Sequence, residues 1–135
     1  SRPAEVYLSP SEQAGYTWLR RETSIDDVIL TTFDAAGHGS GGKLAAFTGR
    51  RVFIGHWIET AYFTDKLALI ERFYDPTETD TWRCEFLRDY GIDYIWYDDY
   101  ARSTGALDPA SVTCLERAIA SEGDQLIIFR VTDAL

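Results

Sequence analysis

Methionine is missing from all 135 positions, and histidine and cysteine occur only twice each. The missing methionine, even at position 1, points to a chain that starts in mid-protein; processing or a trimmed tag would leave the same trace. Cys84 and Cys114 form no C-x-x-C and stand in no His/Cys cluster, so no zinc site and no other metal is expected. Long apolar runs are lacking too: no stretch approaches the roughly 20 residues that span a bilayer. Ser1-Arg2-Pro3 opens without a signal-peptide pattern. Positive charge is scarce. The 13 Lys and Arg face 22 Asp and Glu, for a net charge of −9. Such a surface repels polyphosphate backbones and anionic lipid, so nucleic acid is not an expected partner.

What is present is a globular composition, 45% hydrophobic and 14% aromatic. That is well clear of disorder, and the length suits one domain over residues 1–135 with a sizeable core. Both cysteines fall in predicted helices. They form one disulfide if the domain sits outside the cytoplasm, or remain two unpaired thiols in apolar surroundings.

Residues 1–8 read as extended. Ser9-Pro10-Ser11-Glu12 is a capping box with proline at the first helical position, opening a helix to about Thr23. Val28 to Phe33 is a buried strand, followed by a loop holding Gly37, Gly39, Gly41 and Gly42. Lys43 to Thr48 allow at most two helical turns before Gly49. Arg51 to Trp57 is a second strand. Phe63, Leu67, Ile70 and Tyr74 keep helical spacing over 61–74. Asp80 caps a further helix carrying Trp82, Phe86 and Tyr90, closed by Gly91. Asp93 to Tyr97 is a third strand. Asp108-Pro109 caps a helix carrying Val112, Leu115 and Ile119, closed by Gly123. Gln125 to Thr132 is the last strand, of either direction. The order predicts a compact layered α/β domain with a small, mainly parallel sheet of about four strands flanked by helices.

Two segments invite a functional reading. Gly37-His38-Gly39-Ser40-Gly41-Gly42 satisfies G-x-G-x-x-G after a strand, and Gly37 with Gly42-Lys43 nearly satisfies a P-loop. Gly39, Gly42 and Lys43 are thus candidate phosphate contacts. Context opposes both motifs: Leu44 stands where a P-loop needs Ser or Thr, and Gly49 arrives too soon for a Rossmann helix. The alternative is a surface loop of small residues. The second segment, His56-Trp57-Ile58-Glu59-Thr60, lies at the C-terminal end of the second strand, where open α/β sheets bind ligands. His56 is a proton carrier near neutral pH, Glu59 can orient it, Trp57 can stack on a sugar ring, and Arg50 can meet an anion. Packing and helix capping account for the same residues. Tyr94, Tyr97, Tyr100 and Trp96 suit a sugar platform or a core. Asp98-Asp99 reads as a solvated turn. No G-x-S-x-G elbow occurs.

Three stretches together carry a family resemblance. Tyr7-Leu8-Ser9-Pro10 with Glu12, Ala14 and Trp18-Leu19-Arg20 resembles the segment after the last membrane helix of certain large bacterial membrane proteins. Those proteins are similar to C-type glycosyltransferases, which use lipid-linked sugar donors. Ala45 to Val52, with Gly55-His56 and Glu59-Thr60, resembles the T-G-R-x-V-x-x-G-H-x-x-E-T block of their C-terminal soluble domain. Tyr90-Gly91-Ile92-Asp93-Tyr94-Ile95 resembles the segment that follows, and Ile128 to Val131 the closing strand. The resemblance implies an extracytoplasmic domain tethered by membrane helices. It places the parent's catalytic acids in the membrane part, so no catalytic residue carries over, and no cofactor is implied. The expected function is an accessory or recognition domain partnered by its own membrane part. It would bind glycan or lipid-linked sugar through Arg50, His56, Trp57 and Glu59. A nucleotide- or phosphate-binding module and a protein-docking module are the alternatives.

Overall fold

A computed structural model describes residues 8–33, 39–54 and 62–133. The capping box forms as the sequence predicts. Ser9 Oγ accepts from the Glu12 amide and Glu12 Oε1 accepts from the Ser9 amide, both at 3.1 Å, and α1 runs Pro10–Glu22. Strand β1 is Val28–Leu30, and α2, Gly41–Thr48, is two turns long. Gly49 ends α2 in the left-handed region at φ 68°. Only Arg51–Val52 of the second predicted strand forms β2; its residues 55–57 lie outside the described set. Helices α3, Phe63–Phe73, and α4, Asp80–Asp89, follow. Thr79, one residue before Asp80, is the N-cap of α4, its hydroxyl accepting from the Trp82 amide. The chain continues through β3, Tyr94–Tyr97, the short α5, Asp99–Thr104, then β4, Leu115–Ala120, and β5, Ile127–Val131.

The sheet departs from the expectation of about four mainly parallel strands. Among the described residues it has five, in the order β2-β1-β3-β5-β4. β2, β1 and β3 are parallel, whereas β3 pairs with β5 and β5 with β4 antiparallel, over longer registers. The cause lies in residues 108–123, predicted as a helix. Asp108 does cap and Pro109 does start a turn, but it is one 3-10 turn, Pro109–Ser111. The chain then extends into β4, and a tight turn closed by the Ser121 amide to the Leu126 carbonyl returns it as β5. A hairpin needs only a short connection, whereas a parallel crossover needs a dozen residues or more. The helical spacing of Leu115 and Ile119 has a different origin: a register shift between Arg117 and Ile119. That bulge flips the strand's facing, so Leu115 joins one core and Ile119 packs on the other.

Two cores lie on opposite faces of the sheet. β3 shows the alternation: Ile95 enters the larger core with Ile70, Phe73, Phe86 and Leu87, and Trp96 enters the smaller with Tyr16, Leu19 and Leu44. α1 packs flat on the smaller face because Gly15 carries no side chain. A Cβ there would come within 2.4 Å of Leu126 Cδ2 and 2.6 Å of Trp96. Cys114 lies outside any helix, just before β4, and forms a disulfide with Cys84 of α4 at a Cα–Cα distance of 6.0 Å. Among the described residues no helix is long and apolar enough to cross a membrane.

Candidate functional site: a polar cleft at the ends of β1 and β3

The parallel strands β1 and β3 are neighbours, but the chain leaves them in opposite directions. After β1 it enters α2, whose Leu44 packs in the smaller core; after β3 it enters α5, whose Ala101 packs in the larger core. Two adjacent strands feeding opposite faces leave a crevice beyond their C-terminal ends, the usual ligand position in open α/β sheets. A cleft of about 300 Å³ lies there. Ser9, Ser11 and Glu12 from the start of α1 form one wall, and Ser40 and Lys43 from the start of α2 another. Trp96, Asp98, Asp99 and Tyr100 supply the β3–α5 side, with Gln125 and Leu126 closing the rim.

Asp98 is the hub. One carboxylate oxygen accepts from Ser40 Oγ and from Trp96 Nε1 at 3.0 Å, and the other caps α5 by accepting from the Ala101 amide at 3.1 Å. The Asp98-Asp99 pair is therefore not a solvated turn: Asp99 is open to water, whereas Asp98 faces inward. Burial pushes the Asp98 carboxyl above its ordinary range, against the pull of the Ser40, Ala101 and Trp96 hydrogen bonds. Glu12 behaves in the opposite way. Burial raises it, but the Ser9 amide and the Lys43 ammonium at 3.0 Å outweigh burial and hold it below the ordinary value. Tyr16 donates to Glu12 and stacks on Trp96 at 5.1 Å, and its hydroxyl is pushed up by burial and then by the Glu12 charge. Trp96, Tyr16 and Phe47 thus form a stack that backs the cleft.

The structure separates the residues that sequence reasoning had grouped. Gly39 bridges to Phe33 and is required to be glycine, because a Cβ would meet the Thr32 carbonyl at 2.1 Å. Gly42 faces open space. Lys43 enters the cleft as the partner of Glu12. Two carboxylates, Glu12 and Asp98, thus stand beside the start of α2, which disfavours a phosphate there on charge alone. Arg50 faces the other end of α1. Its guanidinium donates to the Leu19, Arg20, Thr23 and Thr48 carbonyls and to Thr23 Oγ1, which caps the helix C-terminus. His56, Trp57 and Glu59 lie outside the described residues. Sequence reasoning misses Ser40 and Glu12 as site residues; it notes Asp98 as the acid that ends an apolar strand but sets it aside as part of an acidic turn. The signal for Asp98 was available, since an acid directly after an apolar strand stands at the same sheet edge that drew attention to His56. Among the described residues no group of three or more His, Cys, Asp or Glu is placed to hold a metal.

No family model and no curated protein matches the sequence. Among solved structures the chain is similar to the C-terminal globular domain of oligosaccharyltransferase from Archaeoglobus fulgidus. The TM-score is 0.64 at 10% identity, covering 94% of this chain and 100% of that one. At that identity the likeness is one of fold. It spans both the parallel and the antiparallel halves of the sheet, since so little of the chain is left out.

Proposed function

We propose that this chain is an accessory recognition domain of a membrane protein of the glycosyltransferase type, and that its cleft receives part of a glycan. The observation that carries this reading is the fold likeness to an oligosaccharyltransferase C-terminal domain, which extends over that whole domain and nearly all of this chain. The resemblance of the sequence to the soluble domains of C-type glycosyltransferase-like proteins points the same way. The Cys84–Cys114 disulfide supports an extracytoplasmic position, because structural disulfides persist in oxidising compartments. In this reading the partner is the chain's own membrane part, and the polar cleft beside the aromatic Trp96 and Tyr100 is the surface that meets sugar.

The domain works by binding and positioning. Asp98 and Glu12 accept hydrogen bonds from hydroxyls, Ser9, Ser11 and Gln125 donate or accept, and Tyr100 offers a ring face. The test is sugar transfer by the full-length protein in liposomes. Cleft variants such as Asp98→Ala should lower transfer of a glycan acceptor or donor while the membrane part still assembles. The isolated domain should show no turnover. Turnover by the isolated domain, or full transfer with the domain removed, would defeat the reading. An alkaline phosphatase fusion after Leu135 should be active, as it is only on the extracytoplasmic side.

A further inference from the structure

We infer that the cleft takes a single neutral or ammonium-bearing sugar ring and rejects anionic sugars and phosphate. This rests on the preceding reading that the cleft meets glycan, and it names the chemical class. Size sets the first limit. At about 300 Å³ the cleft stands at the low end of ligand pockets, which run to ~1,000 Å³, so it holds a ring rather than an extended chain. Charge sets the second. Among the described residues three carboxylates line it, Glu12, Asp98 and Asp99, against one ammonium, Lys43. That ammonium is 3.0 Å from Glu12, so its charge is already matched inside the cleft. The Asp99 side chain is 95% exposed at the mouth and pairs with Arg102 at 3.2 Å, so the negative charge left over in the lining is that of Asp98, held by Ser40, Trp96 and the Ala101 amide. An anion therefore faces a net negative lining, and a cation a favourable one.

The polar groups also suit hydroxyls. Ser9, Ser11, Ser40 and Gln125 offer neutral donors and acceptors, and the carboxylates accept. The exposed Tyr100 at the mouth is the ring face available for stacking on sugar C–H bonds. A lipid-linked sugar phosphate would consequently present its sugar here and keep its phosphate outside.

The experiment is a titration of the ¹⁵N-labelled domain with four probes of similar size: glucosamine, N-acetylglucosamine, glucuronate and inorganic phosphate. Glucosamine should bind most tightly, N-acetylglucosamine next, and glucuronate at least about tenfold more weakly than glucosamine at low salt. The gap should narrow above ~0.1 M salt, where the screening length falls to ~10 Å. Shifts should centre on the Trp96 indole N–H and the Ser40, Tyr100 and Gln125 amides. Tyr100→Ala should weaken both binding sugars without lowering the melting temperature, since the residue is exposed. Asp99→Lys should narrow or reverse the preference for glucosamine over glucuronate. Tighter binding of glucuronate or phosphate, shifts confined to residues away from the cleft, or no shift from any sugar at tens of millimolar would each overturn the inference. Transfer by the full-length protein is a separate readout. A domain that supports transfer yet binds none of these sugars refutes this inference alone.

Discussion

The two faces of the sheet are built to different ends. The face covered by α3 and α4 carries the larger core, with Phe73, Phe86, Leu87 and Ile95 buried together, and the disulfide that ties α4 to the chain before β4. The face covered by α1 and α2 carries a smaller core, and its upper edge opens into the polar cleft. Apolar burial at roughly 25 cal/mol per Å² concentrates stability on the first face. The second face spends part of its area on carboxylates and hydroxyls that bind one another. A rigid slab thus holds a polar edge in place, and the two are joined by β3 and the residue after it: Ile95 enters the larger core, Trp96 the smaller, and Asp98 the cleft.

The largest test of this division removes the crosslink. Changing Cys84 and Cys114 together to alanine should cost about 3–4 kcal/mol in the urea unfolding free energy, given the 30-residue separation. Amide exchange should accelerate most in α4 and β4 and least around Ser40 and Trp96. An equal acceleration on both faces would erase the distinction. Next in size is Arg50→Ala, which uncaps α1 on the smaller face by removing the donors to Leu19, Arg20 and Thr23. A loss of about 2 kcal/mol is expected. Arg50→Lys should recover little of it, since an ammonium cannot reproduce the planar fork. If Arg50→Ala instead left stability unchanged and abolished glycan binding, Arg50 would be a contact and not a strut.

A smaller effect, of opposite sign, is expected on the larger face. Among the described residues the buried Tyr74 hydroxyl has no hydrogen-bond partner, and burial raises it well above the ordinary phenol value, with the Asp98 charge adding to the shift. An orphaned buried hydroxyl carries a desolvation penalty that phenylalanine does not. Tyr74→Phe should therefore stabilise the protein by about 1 kcal/mol, read as a rise in melting temperature. A fall would mean that the hydroxyl has a partner in solution.

These contrasts also explain what the sequence disclosed. Local chemistry was legible: Ser9 and Glu12 close their own capping box, Pro10 starts α1, and Gly49 and Gly91 adopt the positive φ that ends α2 and α4. Each depends on residues within a turn of one another. β4 was not legible, because a bulge gave Leu115 and Ile119 the spacing of a helix while placing them on opposite faces. The expectation of a mainly parallel sheet followed from that misreading, since the antiparallel half is built by β4 and β5. The hub of the cleft was hidden for another reason. Asp98 next to Asp99 looks like an acidic turn until Ser40, 58 residues away, is brought against it. Only the order β2-β1-β3, with chains leaving to opposite faces, makes that meeting necessary.

The finest test concerns Asp98 alone, and its direction is fixed by linkage. A carboxyl raised in the folded state keeps its proton to a higher pH than the unfolded chain does. Its contribution to stability is full below the ordinary carboxyl value of ~3.9 and is lost as pH rises through the raised value. Asp93, at the opposite end of β3, is also raised, by burial first and then by the charge of Asp27. Both groups therefore drive stability down as pH rises. Asp98→Asn separates them by removing only the part that belongs to the cleft. Relative to the wild type, the variant should gain stability as pH is raised from about 4 towards neutrality, measured by urea midpoints at each pH. Glucosamine affinity of the wild type should rise over that same interval, because the charge that costs stability is the charge that attracts the ammonium. In Asp98→Asn that part of the rise should vanish. If affinity and stability changed with different midpoints, the carboxylate read by the ligand would be Asp99 or Glu12, and the buried hub would be structural.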